Sequence, residues 1–383
     1  MTIPTRNSRQ NPFDADANAR PIRVCFVTLR AYPLFNSSID AVFGGAEVDL
    51  YLLATELAQD PRFEVYFIVG DYGQPQIEQR HNVTLIKSLN VNRSYFLHAG
   101  KIWNALRRAN ADIYVQEACS LLTTTIALFC KYYHRRFIYR TASRREAKGD
   151  YLRDHPFRGR FVHWAFRAAA TLIAQNEEDR LEFRKCNLES IVIRNACRLH
   201  DISMTMRQSI LWVGRSESVK RPDLMIMLVK QFPEMPFVMI CSRAENDPHY
   251  DDLMRDASSL PNLKFIPGLP FEQVDTYFEN ALLHVNTSDS EGFPNTFVQA
   301  CKAGTPILSL NVNPDSFLDQ YDCGRCANGN WEHFIDLFKE LLQPDVASQL
   351  GQHGLDYVRQ HHDIRQIIEQ YKMLFLPPGE TES

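Results

Sequence analysis

The chain has 383 residues, 45% of them hydrophobic, and a net charge of −4. That length exceeds one ordinary core and suits two domains of roughly 180 residues each. The apolar content excludes a disordered chain, and the mild acidity argues against nucleic acid as a partner, since nucleic-acid-binding domains are strongly basic.

No stretch reaches the roughly 18 apolar residues that would cross a bilayer, and residues 1–20 lack the apolar core of a signal peptide. The sequence therefore predicts a cytoplasmic protein. Nine cysteines without framework spacing suit a reducing compartment.

Residues 1–20 and 377–383 are polar and punctuated by proline, and both are expected to be disordered. From Ile22 onward, strand-length apolar runs alternate with helix-length periodic segments. The run IRVCFVTL leads to a helix over Gly45 to Gln59, then to EVYFIV, VTLI and a helix over Gly100 to Arg108. DIYVQ precedes a helix over Ser120 to Tyr133, and FIYRT precedes one around Arg158 to Ala170. TLIAQ, a helix from Glu177 to Cys186, and SIVIR then lead to Asn195. Such alternation marks a parallel sheet, so residues 21–195 are predicted to form one doubly wound α/β domain.

The polar stretch 196–208 reads as a linker. Alternation restarts with SILWVGR, PFVMIC, LKFIP, LLHVN and PILSL, which predicts a second doubly wound domain over residues 209–360. Further helices run from about Trp331 to Phe375. Sheets of this kind bind ligands at the carboxyl ends of their strands, so a cleft between two facing domains is the expected site. Neither half carries a G-x-G-x-x-G fingerprint, which argues against a nicotinamide or flavin dehydrogenase.

The densest motif is SDSEGFPNTFVQACKAGT, Ser288 to Thr305. It follows a buried strand, Leu282 to Val285, and contains a loop through Pro294 and a helix from Asn295 to Ala303. The first amides of that helix have no intrahelical acceptor and, with the helix dipole, attract phosphate. Arg215 ends the strand SILWVG after Gly214, and Lys220 stands just before the helix start at Arg221–Pro222. Two cations so placed either neutralise a diphosphate or are solvated surface charges. Gly44 and Gly45 precede a helix whose Val48, Leu52, Leu53 and Leu57 share a face, and their missing side chains let backbone approach a ligand. Glu47 either orients an acceptor or complements that helix's dipole. Cys323-Gly324-Arg325-Cys326 has metal or redox spacing without supporting neighbours and reads as a turn.

EGFPN followed by an apolar helix and AGTP resembles the signature of the retaining, GT-B-fold glycosyltransferases of family four, the glycosyl transferases group 1. Phe43 to Glu47 resembles that family's N-terminal glycine loop, Val213 to Arg215 with Lys220 its pyrophosphate pair, and Asn262 to Gly268 its base-side loop. The resemblance covers roughly residues 22–375. It implies two Rossmann-like domains facing across a cleft, the first on the acceptor side and the second holding a nucleotide sugar. It also implies that the last helix, over 361–376, crosses back onto the first domain.

By the same resemblance Arg215, Lys220 and Glu291 are the catalytic residues. Gly44, Gly45, Gly214, Gly268, Gly292, Phe293, Pro294, Asn295, Thr296 and Gln299 would bind the nucleotide sugar. Glu291 would approach hydroxyls of the donor sugar while amides of Gly292, Phe293, Asn295 and Thr296 line the phosphate. A simpler role for Glu291 is to cap the helix. No metal and no cofactor are implied beyond a nucleotide diphosphate sugar as co-substrate. The implied reaction transfers a sugar to an acceptor hydroxyl with retention, by front-face substitution, in polysaccharide or glycolipid biosynthesis. A glycan or lipid-linked glycan would be the acceptor.

Two positions depart from the family. A second glutamate, expected eight residues after Glu291 on the ribose, is Gln299, which would bind more weakly or simply lie on the helix surface. A first-domain histidine is replaced in FIYRTASRRE by Thr141, Ser143 and Arg144, and His98, His134, His155 and His163 do not match its position. These departures leave a non-catalytic GT-B scaffold subunit as the alternative.

Residues 131–167 carry eleven Lys/Arg against three Asp/Glu, interleaved with Tyr132, Tyr133, Tyr139, Tyr151, Phe157, Phe161 and Trp164. This suits either an anionic membrane surface, with the protein peripheral on it, or a solvated helix face whose aromatics fill the core.

Overall fold

The computed structural model describes residues 20–39, 41–90, 95–200, 207–244 and 247–376, and the side chains of 95–99, including His98, fall outside the description. The expectations for residues 1–19, for 377–383 and for most of the linker, 201–206, also lie outside the described residues.

The first sheet contains β1 (Ile22–Val27), β2 (Phe63–Val69), β3 (Ile77–Arg80), β4 (Val83–Lys87), β5 (Ile113–Glu117), β6 (Arg136–Arg140), β7 (Thr171–Ala174) and β8 (Ile191–Val192). Its order is β3-β4-β2-β1-β5-β6-β7-β8. The second contains β9 (Ser209–Arg215), β10 (Phe237–Ser242), β11 (Leu263–Ile266), β12 (Ala281–Asn286), β13 (Ile307–Ser309) and β14 (Gly324–Cys326), in the order β11-β10-β9-β12-β13-β14. Every pairing is parallel except that of β3 with β4. Helices cover both faces of each sheet, so the central strands are apolar on both sides. Phe26, Val115, Ile138, Ile210, Leu211 and Val285 are each fully buried.

Two strands were not legible in the sequence. The edge strand β3, IEQR, is mostly exposed and shows no hydrophobic alternation. The Cys323–Cys326 motif is not a turn. It contains β14, paired with β13, and both cysteines are buried free thiols. A Cβ on Gly324 would lie 2.4 Å from the Ile307 carbonyl oxygen, so only glycine allows this approach.

The helix Ile364–Phe375 leaves the second domain and packs against the first-domain helix Gly45–Leu57. Ile367, Ile368, Tyr371 and Phe375 join a core cluster with Phe26, Leu53 and Phe67. Both ends are tied. The Cys197 amide donates to the His362 carbonyl at 2.8 Å and the Ile364 amide to the Cys197 carbonyl at 3.0 Å. At the other end, the Arg136 guanidinium donates to the carbonyls of Leu374 and Phe375. Among the described residues no helix is long and apolar enough to cross a membrane.

Asp179, in the helix Glu177–Lys185, is completely buried, and its Oδ1 has no hydrogen-bond partner. Burial pushes its carboxyl up to about 7, with Glu146, Asp315 and Glu178 acting in the same direction and Arg144 opposing. Between the ordinary aspartate range near ~4 and the folded value, the folded state holds the extra proton. Its contribution to stability is therefore full below that range and is lost as pH rises toward 7. Asp179→Asn should remove this component, flattening stability against pH in urea titrations from pH 4 to 7.

Candidate active site

Strand order in the second sheet reverses between β9 and β12, which opens a crevice at their carboxyl ends. Arg215 is the last residue of β9 and pairs with Glu217 at 2.9 Å. Lys220 ends a 3₁₀ turn, Ser218–Lys220, that is anchored from the other side of the crevice. The Thr287 hydroxyl donates to the Lys220 and Arg221 carbonyls at 2.8 and 2.9 Å and accepts from the Trp212 indole at 2.9 Å. The Asp289 amide donates to the Val219 carbonyl at 2.8 Å.

These bonds place the Lys220 ammonium 2.5 Å from Glu291 Oε2. Glu291 Oε1 accepts from the Ser288 hydroxyl at 2.7 Å and from Asn286 Nδ2 at 3.2 Å. Burial alone would raise the Glu291 carboxyl. The Lys220 charge and hydrogen bond, with Ser288 and Asn286, outweigh it and hold the group below the usual glutamate range. Glu291 is thus an anion fixed in orientation, equipped to accept hydrogen bonds and not to donate a proton.

The first sheet reverses between β1 and β5, and its glycine loop meets the second domain. Gly44 Cα lies so close to Arg215 that an added Cβ would sit 3.7 Å from the guanidinium carbon. Its amide donates to Glu47 Oε2 at 2.8 Å, and Glu47 Oε1 accepts from the Thr28 hydroxyl at 2.9 Å. Of the two roles weighed for Glu47, the geometry is that of a helix cap. The Gly45 carbonyl accepts from Asn295 Nδ2 at 3.1 Å. A Cβ on Gly292 would meet the backbone of Ala142 and Ser143 at 3.3 Å.

Behind the loop carrying Glu291 runs a buried polar network that the sequence did not reveal. Arg140, 1% exposed, donates to Glu117 Oε1 at 2.6 Å, to Asp49 Oδ2 at 3.1 Å and to Asn195 Oδ1 at 2.7 Å. Asn195 Nδ2 then donates to the Phe293 carbonyl at 3.0 Å and to Asn295 Oδ1 at 2.6 Å. Asn295 Nδ2 returns to Asp49 Oδ1 at 3.1 Å. Burial pushes Glu117 well above its ordinary range against the pull of Arg140, and raises Asp49. One guanidinium thus faces two buried carboxyl groups. The only trace in the sequence is an arginine ending the apolar run FIYR and an aspartate between Val48 and Leu50.

Arg215, Lys220, Glu291, Gly44, Gly45, Gly292 and Asn295 come together at this junction. Asn295 and Thr296 open the helix Asn295–Lys302, whose backbone bonds begin at the Phe297 amide, leaving their own amides without intrahelical acceptors. The expectations for the Phe293 amide and for Gln299 on the helix surface need correction. The Phe293 amide does not face the cleft. It donates to Gln175 Oε1 of the first domain at 3.1 Å, while the Phe293 ring is buried against Phe317 and His362. Gly214 is shaped by packing, since a Cβ there would strike the Trp212 ring at 2.8 Å. Gly268, at φ +149°, lies in the loop after β11 beside Ser242.

Gln299 is not on the helix surface. It is 9% exposed and donates to Asp275 Oδ1 at 3.2 Å, while Lys302 holds Asp275 Oδ2 at 2.6 Å. A glutamate at 299 would set two carboxylates against each other, and the amide of glutamine removes that repulsion. In the FIYRTASRRE segment Thr141 is buried, and Arg144 pairs with Glu178 at 2.8 Å. Two buried histidines escaped notice. His284 is held down to about 4 by burial, and His362 down to about 3 by the same cause.

Residues 203–354 match the family of glycosyl transferases group 1. An uncharacterized glycosyltransferase of Haemophilus influenzae is 21% identical over 353 residues, covering 86% of this chain and 95% of its own. Sucrose-phosphate synthase from Thermosynechococcus elongatus superposes with a TM-score of 0.74 at 14% identity, over 92% of this chain and 98% of its own. HepE of Anabaena, solved with UDP and glucose, gives 0.71 at 15% identity over 92% and 99%. The two facing α/β domains and the returning C-terminal helix form the GT-B fold.

Arg140→Met should destabilise the chain by about 3–5 kcal/mol, because Asp49 and Glu117 lose their buried counter-charge. Urea unfolding at neutral pH measures it.

Proposed function

We propose that this chain is a retaining glycosyltransferase that moves a sugar from a nucleoside diphosphate sugar to an acceptor hydroxyl. One observation carries the reading. Arg215, the Lys220–Glu291 pair and the free first-turn amides of Asn295 and Thr296 converge where the second sheet reverses, against Gly44 and Gly45. The cations and amides would take the diphosphate, and Glu291 would accept hydroxyls of the sugar. Positive charge from Arg215 and Lys220 stabilises the departing diphosphate, the part a divalent metal plays elsewhere.

In front-face substitution the departing phosphate oxygen accepts the acceptor's proton. The protein's contribution is then position and charge. Residues 21–195 would take the acceptor and 209–360 the donor. Because the HepE structure was solved with UDP and glucose, UDP-glucose is the first donor to test. Replacing Arg215 or Lys220 by Ala should lower transfer at least ~100-fold while circular dichroism stays unchanged. Undiminished turnover in either variant would reject the assignment.

The acceptor would be a glycan or a lipid-linked glycan taken from a membrane surface. The aromatics of residues 131–167 divide between core and solvent. Tyr139 is fully buried, while Tyr132 (70%) and Phe157 (76%) are exposed together with Leu128 and Phe161 on two packed helices, Leu121–Tyr132 and Pro156–Ala168. Lys131 and Arg160, on the same two helices, are also exposed. This combination favours a peripheral position on an anionic bilayer at its cytoplasmic face. Replacing both Phe157 and Phe161 by Ser should weaken co-sedimentation with phosphatidylserine vesicles at least ~10-fold and leave donor binding unchanged. Equal sedimentation of variant and parent would remove this surface from the proposal.

A further inference from the structure

Away from the donor crevice the two domains line an open cavity of about 380 Å³ behind Phe293, a volume typical of a small-molecule site. Its charged walls differ in how far they are committed. Glu177 is held by Arg180 at 2.6 Å and Glu178 by Arg144 at 2.8 Å. Asp315, from the second domain, accepts the amides of Glu177 and Glu178 at 2.9 and 2.8 Å. Arg194 also lines the cavity, and its guanidinium makes no hydrogen bond or ion pair among the described residues. The remaining wall is aromatic, with Tyr321 and Phe317 packed on Tyr357 at ring separations of 4.4 and 5.2 Å. Asp315 and Ser316, at the cavity's edge, both adopt φ of 53°, a left-handed backbone that side chains rarely take.

We infer that this cavity is a second binding site, for a saccharide bearing an acidic group. Aromatic rings take the apolar face of a sugar. The held carboxylates of Glu177, Glu178 and Asp315 keep lone pairs for hydroxyls, and a planar unpaired guanidinium matches a carboxylate or a phosphate in two-point fashion. An uncharged sugar would leave Arg194 unused, and a bare anion would leave the aromatic wall unused. Because both domains supply walls, occupancy favours the domain arrangement seen here. Arg215, Lys220 and Glu291 do not line this cavity, and the site does not depend on the transfer reaction proposed above.

Titration calorimetry on the full chain tests this with glucuronate, glucose 6-phosphate, glucose and inorganic phosphate. Both acidic sugars should bind at least ~10-fold more tightly than glucose and than inorganic phosphate. Arg194→Gln should abolish that preference and leave UDP binding intact. Arg194→Lys, which keeps the charge, should retain part of it. Acidic sugars that bind no better than glucose, or as well to Arg194→Gln as to the parent, would overturn the site. Inorganic phosphate binding as tightly as the acidic sugars would reduce it to a simple anion site and overturn the saccharide. Should Arg194→Gln fail to fold, Tyr321→Ala serves in its place, and an unchanged affinity for acidic sugars there refutes the aromatic wall. Binding of acidic sugars without binding of UDP would sink the donor reading and spare this one.

Discussion

The arrangement of the two domains depends on a charge with no access to water. Arg140 ends a central strand of the first sheet and is buried with Asp49 and Glu117, and both of its Nη groups are bonded within the protein. Asn195, at the end of the first domain, takes one donor and passes the constraint to Asn295 and the Phe293 carbonyl. The loop carrying Glu291 is thereby registered against the first domain by hydrogen bonds that have no solvent alternative. Gln175 adds a second tie through the Phe293 amide and itself donates to Glu117. Loosening this loop would leave a buried charge with fewer partners.

Around this anchor the crevice takes its chemistry from ordinary features of α/β sheets. Parallel strands end together, helices begin beside them, and a reversal of strand order leaves room between neighbours. Lys220 and Glu291 lie on opposite sides of that room and neutralise each other, with Thr287 stapling the Lys220 turn to the strand beyond. An arriving diphosphate would compete with Glu291 for the ammonium. Glu291, still held by Ser288 and Asn286, would keep its orientation for hydroxyl groups. Gln299 fits the same economy of charge, since its partner Asp275 already balances Lys302.

Much of this was legible from residue order. Alternating apolar and periodic segments located most of the strands, and the strand-end position of Arg215 and the EGFPN helix start pointed to one crevice. What escaped followed from physical causes. The strand β3 is short, polar and exposed, so no hydrophobic pattern marks it. The strand β14 is three residues long and begins at a glycine whose reason is a contact with distant Ile307. The Phe293 amide looked free because its acceptor, Gln175, is 118 residues away in the chain.

Periodicity, strand-end cations and an uncapped helix start are local properties, and from them the sequence alone determined two doubly wound domains and a candidate anion-binding crevice. Tertiary structure alone decided which polar groups are already occupied. Hydrogen-bond partners such as Arg140 with Asn195, Gln175 with Phe293 and Asp315 with the Glu177 helix join different parts of the chain, and residue spacing carries no record of such pairings. It also decided which aromatics of residues 131–167 meet water, because helix packing and not composition sets the outward face.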